Sequence, residues 1–451
     1  MSQTSRDPNT GATVPAHRFG SPPLQSNYFL SDVLALGDRQ AVVTSRDLYS
    51  STHVKLVNRG VHLTSSMFER IVRHKLLVPI EECVVVERGV RPESLGEDAR
   101  ALLAPDGAYA VLASRVAHGA LVGSFSVMPL PAPIAVKLTI AKEQRARLYE
   151  HSVEVALLSV YLSARLGGDN AELIHAASAG VLHDLGELHL APHFLDPQHQ
   201  LASDEYEFLY SHPVAGYLIA EAYPEYPAAV RNAVLQHHER LDGSGYPRGL
   251  RQGDISPLGE IVAAAEVGSV LIRRTAQLGV AAYMEVPLRM MLHKLNPRLI
   301  GLLSELLQLQ PDDANDQPAP DHDQQRHQLQ VVADVLLDWE RTKAVLVAND
   351  GVAGDEILQF MTVRLEQLHR SLLATGFDPR DVDGFVELLD DDRALRSEMA
   401  AIAREAHWGF LEVMLETRRR WSEFATAPEA SRSAVADWIA RAGAHVRSRH
   451  Q

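Results

Sequence analysis

The sequence predicts a mainly α-helical protein, in which a central helical domain is preceded by a small α+β domain and followed by a helical bundle. Three observations carry this. Apolar residues recur at helical spacing through most of 137–310 and again beyond 329. Strand-like runs, QAVVTSR at 40–46 and CVVVERGV at 83–90, are confined to the N-terminal part. Two segments interrupt the pattern: the proline-broken MPLPAPI at 128–134, and PDDANDQPAPDHDQQRHQ at 311–328, where apolar residues vanish.

Residues 1–26 are polar, without periodicity, and read as a disordered lead. Between 27 and 136 the strand-like runs alternate with SSMFERIVRHKLL at 65–77, whose apolar residues fall at helical spacing behind two serines; this is the small α+β domain. The central domain, 137–310, reads as five helices. The first is expected from about Leu138 to Leu166, ending before Gly167-Gly168 and carrying His151 near its middle. The second starts at Asp169, whose spacing to Glu172 fits a capping box, and ends around Gly186 after His183-Asp184. The third opens near Ser203-Asp204 and carries His212, with Pro213 kinking it just beyond. The fourth runs from Pro227 to His237-His238, and the fifth starts at Pro257 and carries Glu266. The stretch 311–328 reads as an acidic linker. Residues 329–451 read as amphipathic helices that bury one stripe against each other and serve a homodimer or a protein partner.

Composition narrows the classes. Of 451 residues 46% are hydrophobic, ample for a sizeable core. The single cysteine, Cys83, excludes an intrachain disulfide framework, and the first twenty residues lack the apolar core of a secretory signal, so a reducing cytoplasm is expected. The most apolar long run, ALVGSFSVMPLPAPIAV at 120–136, is interrupted by prolines and falls short of the roughly 20 residues a bilayer needs. No membrane span is expected. A formal net charge of −15 argues against duplex nucleic acid as a partner, because phosphate binding needs clustered Lys and Arg.

Within the central domain, imidazoles and carboxylates recur once per helix: His151, His183-Asp184, His212, His237-His238 and Glu266. Singly, each has a plainer reading. A lone buried histidine is more often a hydrogen-bonded core residue than a ligand, and a pair at a helix end favours the negative end of the dipole. His175, His189, His193 and His199 read as core or solvent-facing. Glu266 is harder to dismiss, because it interrupts the apolar run EIVAAAEVGSVLIRR and an unpaired buried carboxylate is costly. Together the residues form a mixed nitrogen and oxygen donor set suited to a metal.

HDLGE at 183–187, HPVAG at 212–216 and HHERLDGSGYP at 237–247 resemble the HD-GYP subgroup of the HD-domain phosphohydrolases, over roughly 138–310. The resemblance implies an all-helical HD-GYP domain that hydrolyses cyclic di-GMP to pGpG or GMP. The family's metal ligands carry over onto His151, His183, Asp184, His212, His237 and His238, with Glu266 where the family usually has aspartate. Two divalent metals about 3.5–4 Å apart would share a bridging hydroxide and clamp the phosphodiester. His183 and Asp184 would be the catalytic pair, Asp184 the natural bridge because a carboxylate has two oxygens to share. Donors without cysteine suit iron or manganese, and admit zinc. The substrate-binding residues implied are Asp242, Gly243, Gly245, Tyr246 and Pro247, whose glycines let the backbone pass close, together with Arg273.

The chain departs from the family at several positions. Arg147 stands four residues before His151, where members with a third metal carry glutamate, so two metals are expected. The HDxGK lysine, which meets a substrate phosphate, is Glu187 here, a reversal of charge. Ser269 and Thr275 replace the aspartate and arginine that usually follow the fifth-helix acid, with Arg273 and Arg274 nearby, and Leu241 replaces a tryptophan. Two further readings follow: a catalytically weakened regulatory module that binds a nucleotide or a protein partner, and a phosphohydrolase of another nucleotide.

Overall fold

The computed structural model describes residues 27–195, 205–278, 285–309, 322–348, 356–387, 393–420 and 435–442. The disordered lead, Ser203-Asp204 and most of the 311–328 linker lie outside them. The chain divides into two compact units, Met1–Val270 and Leu271–Gln451.

The first unit opens with α1 (Asn27–Gly37), then β1 (Val42–Thr44), β2 (Leu48–Tyr49), β3 (Lys55–Val57), α2 (Phe68–Val72) and β4 (Val84–Val86). Both strand-like runs of the sequence are strands, and they pair with each other: β1 and β4 are antiparallel, with Val42 opposite Val86 and Thr44 opposite Val84. β2 and β3 form a second two-stranded ladder. The helix expected at 65–77 is shorter, a 3-10 turn at Ser65–Met67 followed by α2. α3 (Pro92–Leu102) and α4 (His118–Val127) lead to α5 (Ala132–Gln144). The apolar run 120–136 is thus the end of α4 and the start of α5, bent by 118° at the prolines. Leu121, Val122 and Phe125 on one side and Ile134, Val136 and Leu138 on the other are buried. Among the described residues no single helix is long and apolar enough to cross a membrane.

The helix expected from Leu138 to Leu166 is two helices, α5 and α6 (Ala146–Arg165), broken at Arg145, which leaves the helical region (φ −138°, ψ 57°). No proline or glycine marks the break. The cause is tertiary: the Arg145 side chain is drawn to Asp32 on α1 and to backbone carbonyls of the 185–190 segment. α7 (Asn170–Leu182) starts with the expected box, Asp169 accepting from the Glu172 amide and Glu172 from the Asp169 amide. It ends at Leu182, and a 3-10 turn over Leu185–His189 follows in place of the helix expected to Gly186.

The third expected helix is also two, α8 (Glu205–Leu209) and α9 (His212–Glu221). His212 opens α9, with Pro213 in its first turn, where a missing N–H costs nothing. α10 (Ala228–Gln236) stops with His237 as its last cap, and α11 (Pro257–Leu278) carries Glu266.

The second unit is helical among its described residues: the end of α11, α12 (Glu285–Met290), α13 (Pro297–Gln308), α14 (His322–Ala348), α15 (Glu356–Ala374), α16 (Val382–Glu387) and α17 (Arg393–Arg420), with a helical stretch at 435–442. α14 begins inside the stretch read as the linker. The amphipathic stripes meet in one core of Leu329, Leu336, Met361, Leu365 and Phe410, closed by Trp339 edge-on to Trp438 at 5.1 Å. Inside it Arg364 and Glu416 form a two-pronged ion pair at 3.1 and 3.2 Å.

Candidate metal centre

Three of the expected ligand histidines sit where a helix ends. His183 caps α7, His237 caps α10, and His212 follows α8. The last carbonyls of a helix lack intrahelical partners, and each imidazole fills that need. Nδ1 of His183 donates to the Gly180 carbonyl, that of His212 to Leu209, and that of His237 to Val234, each at 2.7 Å and three residues back. A carbonyl only accepts, so the proton is on Nδ1 and the lone pair on Nε2. Three lone pairs therefore point into one space, at helix ends whose dipoles favour a cation.

Asp184 joins them. Its Oδ1 lies 3.2 Å from His212 Nε2 and 3.3 Å from His237 Nε2, while Oδ2 lies 3.1 Å from His183 Nε2. Glu266 Oε2 approaches His151 Nε2 at 2.8 Å and His183 Nε2 at 3.2 Å. The seven residues thus fall into two groups, Asp184 with His212, His237 and His238, and His151 with His183 and Glu266; within each, ligand atoms lie within 4.8 Å of one another. Asp184 turns one oxygen to each group.

A divalent metal pair fits this arrangement. His183 Nε2 and Asp184 Oδ1 are buried without a hydrogen-bond partner. His212 Nε2 and His237 Nε2 face each other at 3.1 Å, which opposes two lone pairs unless a proton or a cation lies between them. Burial lowers the imidazole pKa values, but Glu266 beside His151, and Asp184 beside His183 and His212, outweigh it and hold these three above the ordinary histidine value. Burial prevails at His237, pushed down to about 4, and at His238, well below its usual range. The two carboxyls are held low against burial by the histidines they face. A second proton on any of these rings competes with a metal for its Nε2 lone pair. Manganese added to the apo-protein at pH 7 is expected to release protons into a weak buffer, and metal affinity to rise with pH. At 100 times its dissociation constant each bound metal should stabilise the first unit by about 2.7 kcal/mol, seen as a higher melting temperature.

The loop after His238 is built on residues the motif alone does not explain. Glu239 is buried, and its carboxylate accepts the Arg248 and Leu250 amides at 2.7 and 2.8 Å, folding 239–250 into a closed loop. Asp242, expected to bind substrate, accepts from the Ser244 amide and hydroxyl, a turn-forming role. Gly243 (φ +79°) follows it in the left-handed region. Tyr246 stacks on His238 at 4.5 Å and packs on Tyr210 at 4.3 Å, with Pro247 next to it. Gly245 passes so close to the helix end that a Cβ would lie 2.4 Å from backbone atoms of His238, Glu239 and Arg240. Gly245→Ala must shift the loop, and is expected to speed hydrogen exchange at the amides of 239–250 while metal content stays unchanged.

Gly186 makes a similar approach: a Cβ there would lie 2.1 Å from the His212 carbonyl, so this glycine brings the two ligand segments together. Ser269 donates to the Glu266 carbonyl and lies 3.5 Å from His151 Nδ1, steadying that ring where the resemblance leads one to expect aspartate. Glu187 is partly exposed; burial and the nearby Asp184 charge raise its carboxyl to about 7. Thr275 turns its hydroxyl back to the Leu271 carbonyl. Arg273, expected at the substrate, belongs to the second unit. Arg145, Glu239 and Tyr210 were not legible as site residues. Glu239 left a trace, a lone acid between two ligand histidines and a glycine-rich loop.

Residues 135–275 match the sequence profile of a family described as the HD domain. They are an HD domain. The HHERLDGSGYP stretch lies within it. Over 122 residues the chain is 32% identical to cyclic di-GMP phosphodiesterase PdeB of Borreliella burgdorferi, covering 27% of this chain and 32% of that one. Over 148 residues it is 33% identical to cyclic di-GMP phosphodiesterase PA4108 of Pseudomonas aeruginosa, covering 33% and 36%. Over 140 residues it is 34% identical to 3'3'-cGAMP-specific phosphodiesterase 1 of Vibrio cholerae, covering 31% and 32%. The HD domain thus matches about a third of the length of each relative.

Proposed function

We propose that the chain is a metal-dependent phosphodiesterase whose HD domain opens a cyclic dinucleotide, with cyclic di-GMP the favoured substrate. The observation that carries this reading is the convergence of seven donor residues in two groups, with one oxygen of Asp184 turned to each. His151, His183, Glu266 and Asp184 would hold one divalent cation, and Asp184, His212, His237 and His238 the other, iron or manganese fitting the donors best and zinc being admitted. Such a pair supplies Lewis acidity toward phosphoryl oxygens and makes water a nucleophile at neutral pH. The chain's own residues do the rest. Carbonyls at three helix ends fix the ring orientations, Ser269 steadies His151, and Asp184 spans the two groups. Tyr246, stacked on His238 and packed on Tyr210, holds the 239–250 loop beside the cluster.

The 34% identity to 3'3'-cGAMP-specific phosphodiesterase 1 favours a second reading, in which another cyclic dinucleotide such as 3'3'-cGAMP is preferred, while Glu187 weakens the hold on a phosphate of either substrate. A panel of cyclic di-GMP, 3'3'-cGAMP and linear pGpG, each with metal-loaded protein, separates the readings. Release of pGpG or GMP from cyclic di-GMP with the highest kcat/KM supports the first. Turnover confined to 3'3'-cGAMP supports the second, and metal-loaded protein that turns over none of them leaves a nucleotide-binding or partner-binding regulator. Glu187→Lys is expected to lower KM for cyclic di-GMP.

A further inference from the structure

The described part of the first unit holds a set of buried and half-buried charges outside the donor cluster. Lys137 on α5 is 2% exposed, and its Nζ lies 2.6 Å from Glu81 Oε1. The same ammonium donates to Nε2 of His189 at 3.2 Å and sits over the Phe29 ring at 4.3 Å. A second cation, the half-buried Arg145, gives Nε and Nη2 to the half-buried Asp32, both at 2.9 Å. Its Nη1 donates to the Glu187 carbonyl at 3.0 Å and to the Leu190 carbonyl at 3.3 Å. Phe29 and Asp32 lie on α1, and Glu81 in a 3-10 turn at Ile80–Glu82.

Both cations therefore end on one segment, the 185–190 turn that directly follows the ligand pair His183-Asp184. Burying the Lys137–Glu81 pair is costly, and hydrophobic residues of the same volume would pack there at least as well, so core stability alone does not account for it. What charge adds is direction: the arginine fork fixes two carbonyls, and the lysine fixes one ring nitrogen of His189, which burial and Lys137 keep neutral.

We infer that α1 and the 80–82 turn are positioning elements of the metal centre, acting through Asp32–Arg145 and Glu81–Lys137 to hold the 185–190 turn, and with it Asp184 and Glu187, in place. The inference deepens the metal-centre reading and rests on it, whichever dinucleotide is the substrate.

The test uses the full chain and reads more than turnover. Asp32→Asn, Arg145→Gln and Arg145→Lys are compared with the unaltered protein by manganese affinity, by hydrogen exchange at the amides of 185–190, and by kcat and KM. Asp32→Asn and Arg145→Gln are expected to speed exchange at Glu187 and Leu190 about tenfold or more, with weaker manganese binding and lower kcat at unchanged KM. Exchange in the second unit should not change, and Arg145→Lys, which keeps the charge without the fork, should recover part of the loss. Unchanged exchange and manganese affinity in folded variants would overturn the inference. So would a uniform rise in exchange across the first unit, which would make these pairs ordinary core contacts. Exchange and metal binding keep their meaning even if the protein hydrolyses no cyclic dinucleotide, so the two readings fail separately.

Discussion

Asp184→Asn is expected to strip the centre of metal and of turnover together. The carboxylate turns an oxygen to each donor group, Oδ1 toward His212 and His237 and Oδ2 toward His183. An amide in its place removes the negative charge and puts an NH2 group against one set of imidazoles. Loss of an outer partner of a metal ligand typically weakens binding about 10–100-fold, so loss of a ligand shared by both groups should exceed about 100-fold in metal affinity. Isothermal titration of the apo-protein with manganese reads this directly. The fold should survive, since the histidines keep their carbonyl partners. An Asp184→Asn protein that retained both metals at native affinity would show that Asp184 does not span them.

The second large effect is on stability. Lys137→Ala leaves the Glu81 carboxylate, 7% exposed, without its cation. Removing one partner of a buried pair costs about 3–5 kcal/mol, so chemical denaturation of the first unit should show a loss of that size. Lys137→Met combined with Glu81→Leu should lose much less, because both desolvated charges go at once. Equal losses in the single and double variants would mean that packing of the lysine stem, and not the pair, is what matters there.

How much of this was legible in the sequence differs by element. The capping box at Asp169 and Glu172, the start of α11 and the pairing-competent runs at 42–44 and 84–86 follow local rules, and the structure has them. The two broken helices do not. Arg145 leaves the helical region because its side chain is claimed by Asp32 and by carbonyls of the 185–190 turn, a long-range demand that no local signal announces. His212 starts a helix and does not ride on one, because its imidazole caps the preceding short helix while Pro213 opens the next. The seven donors were legible as a set, since polar residues of ligand type stood out against apolar helices. Their supports were not: Glu239, Ser269 and Gly186 act through backbone amides, a ring nitrogen and a close approach, which spacing does not encode.

The central claim is that these residues hold two metals and that the metals make the HD domain a cyclic dinucleotide phosphodiesterase. Protein purified from manganese-rich and from iron-rich medium, with bound metal and hydrolysis of cyclic di-GMP and 3'3'-cGAMP measured on the same samples, tests it most directly. The expected result is two metals per chain and turnover of a cyclic dinucleotide that rises with metal content and vanishes on chelation. Two metals per chain with no turnover of either dinucleotide would contradict the catalytic part of the claim, and no bound metal in either medium would contradict it whole.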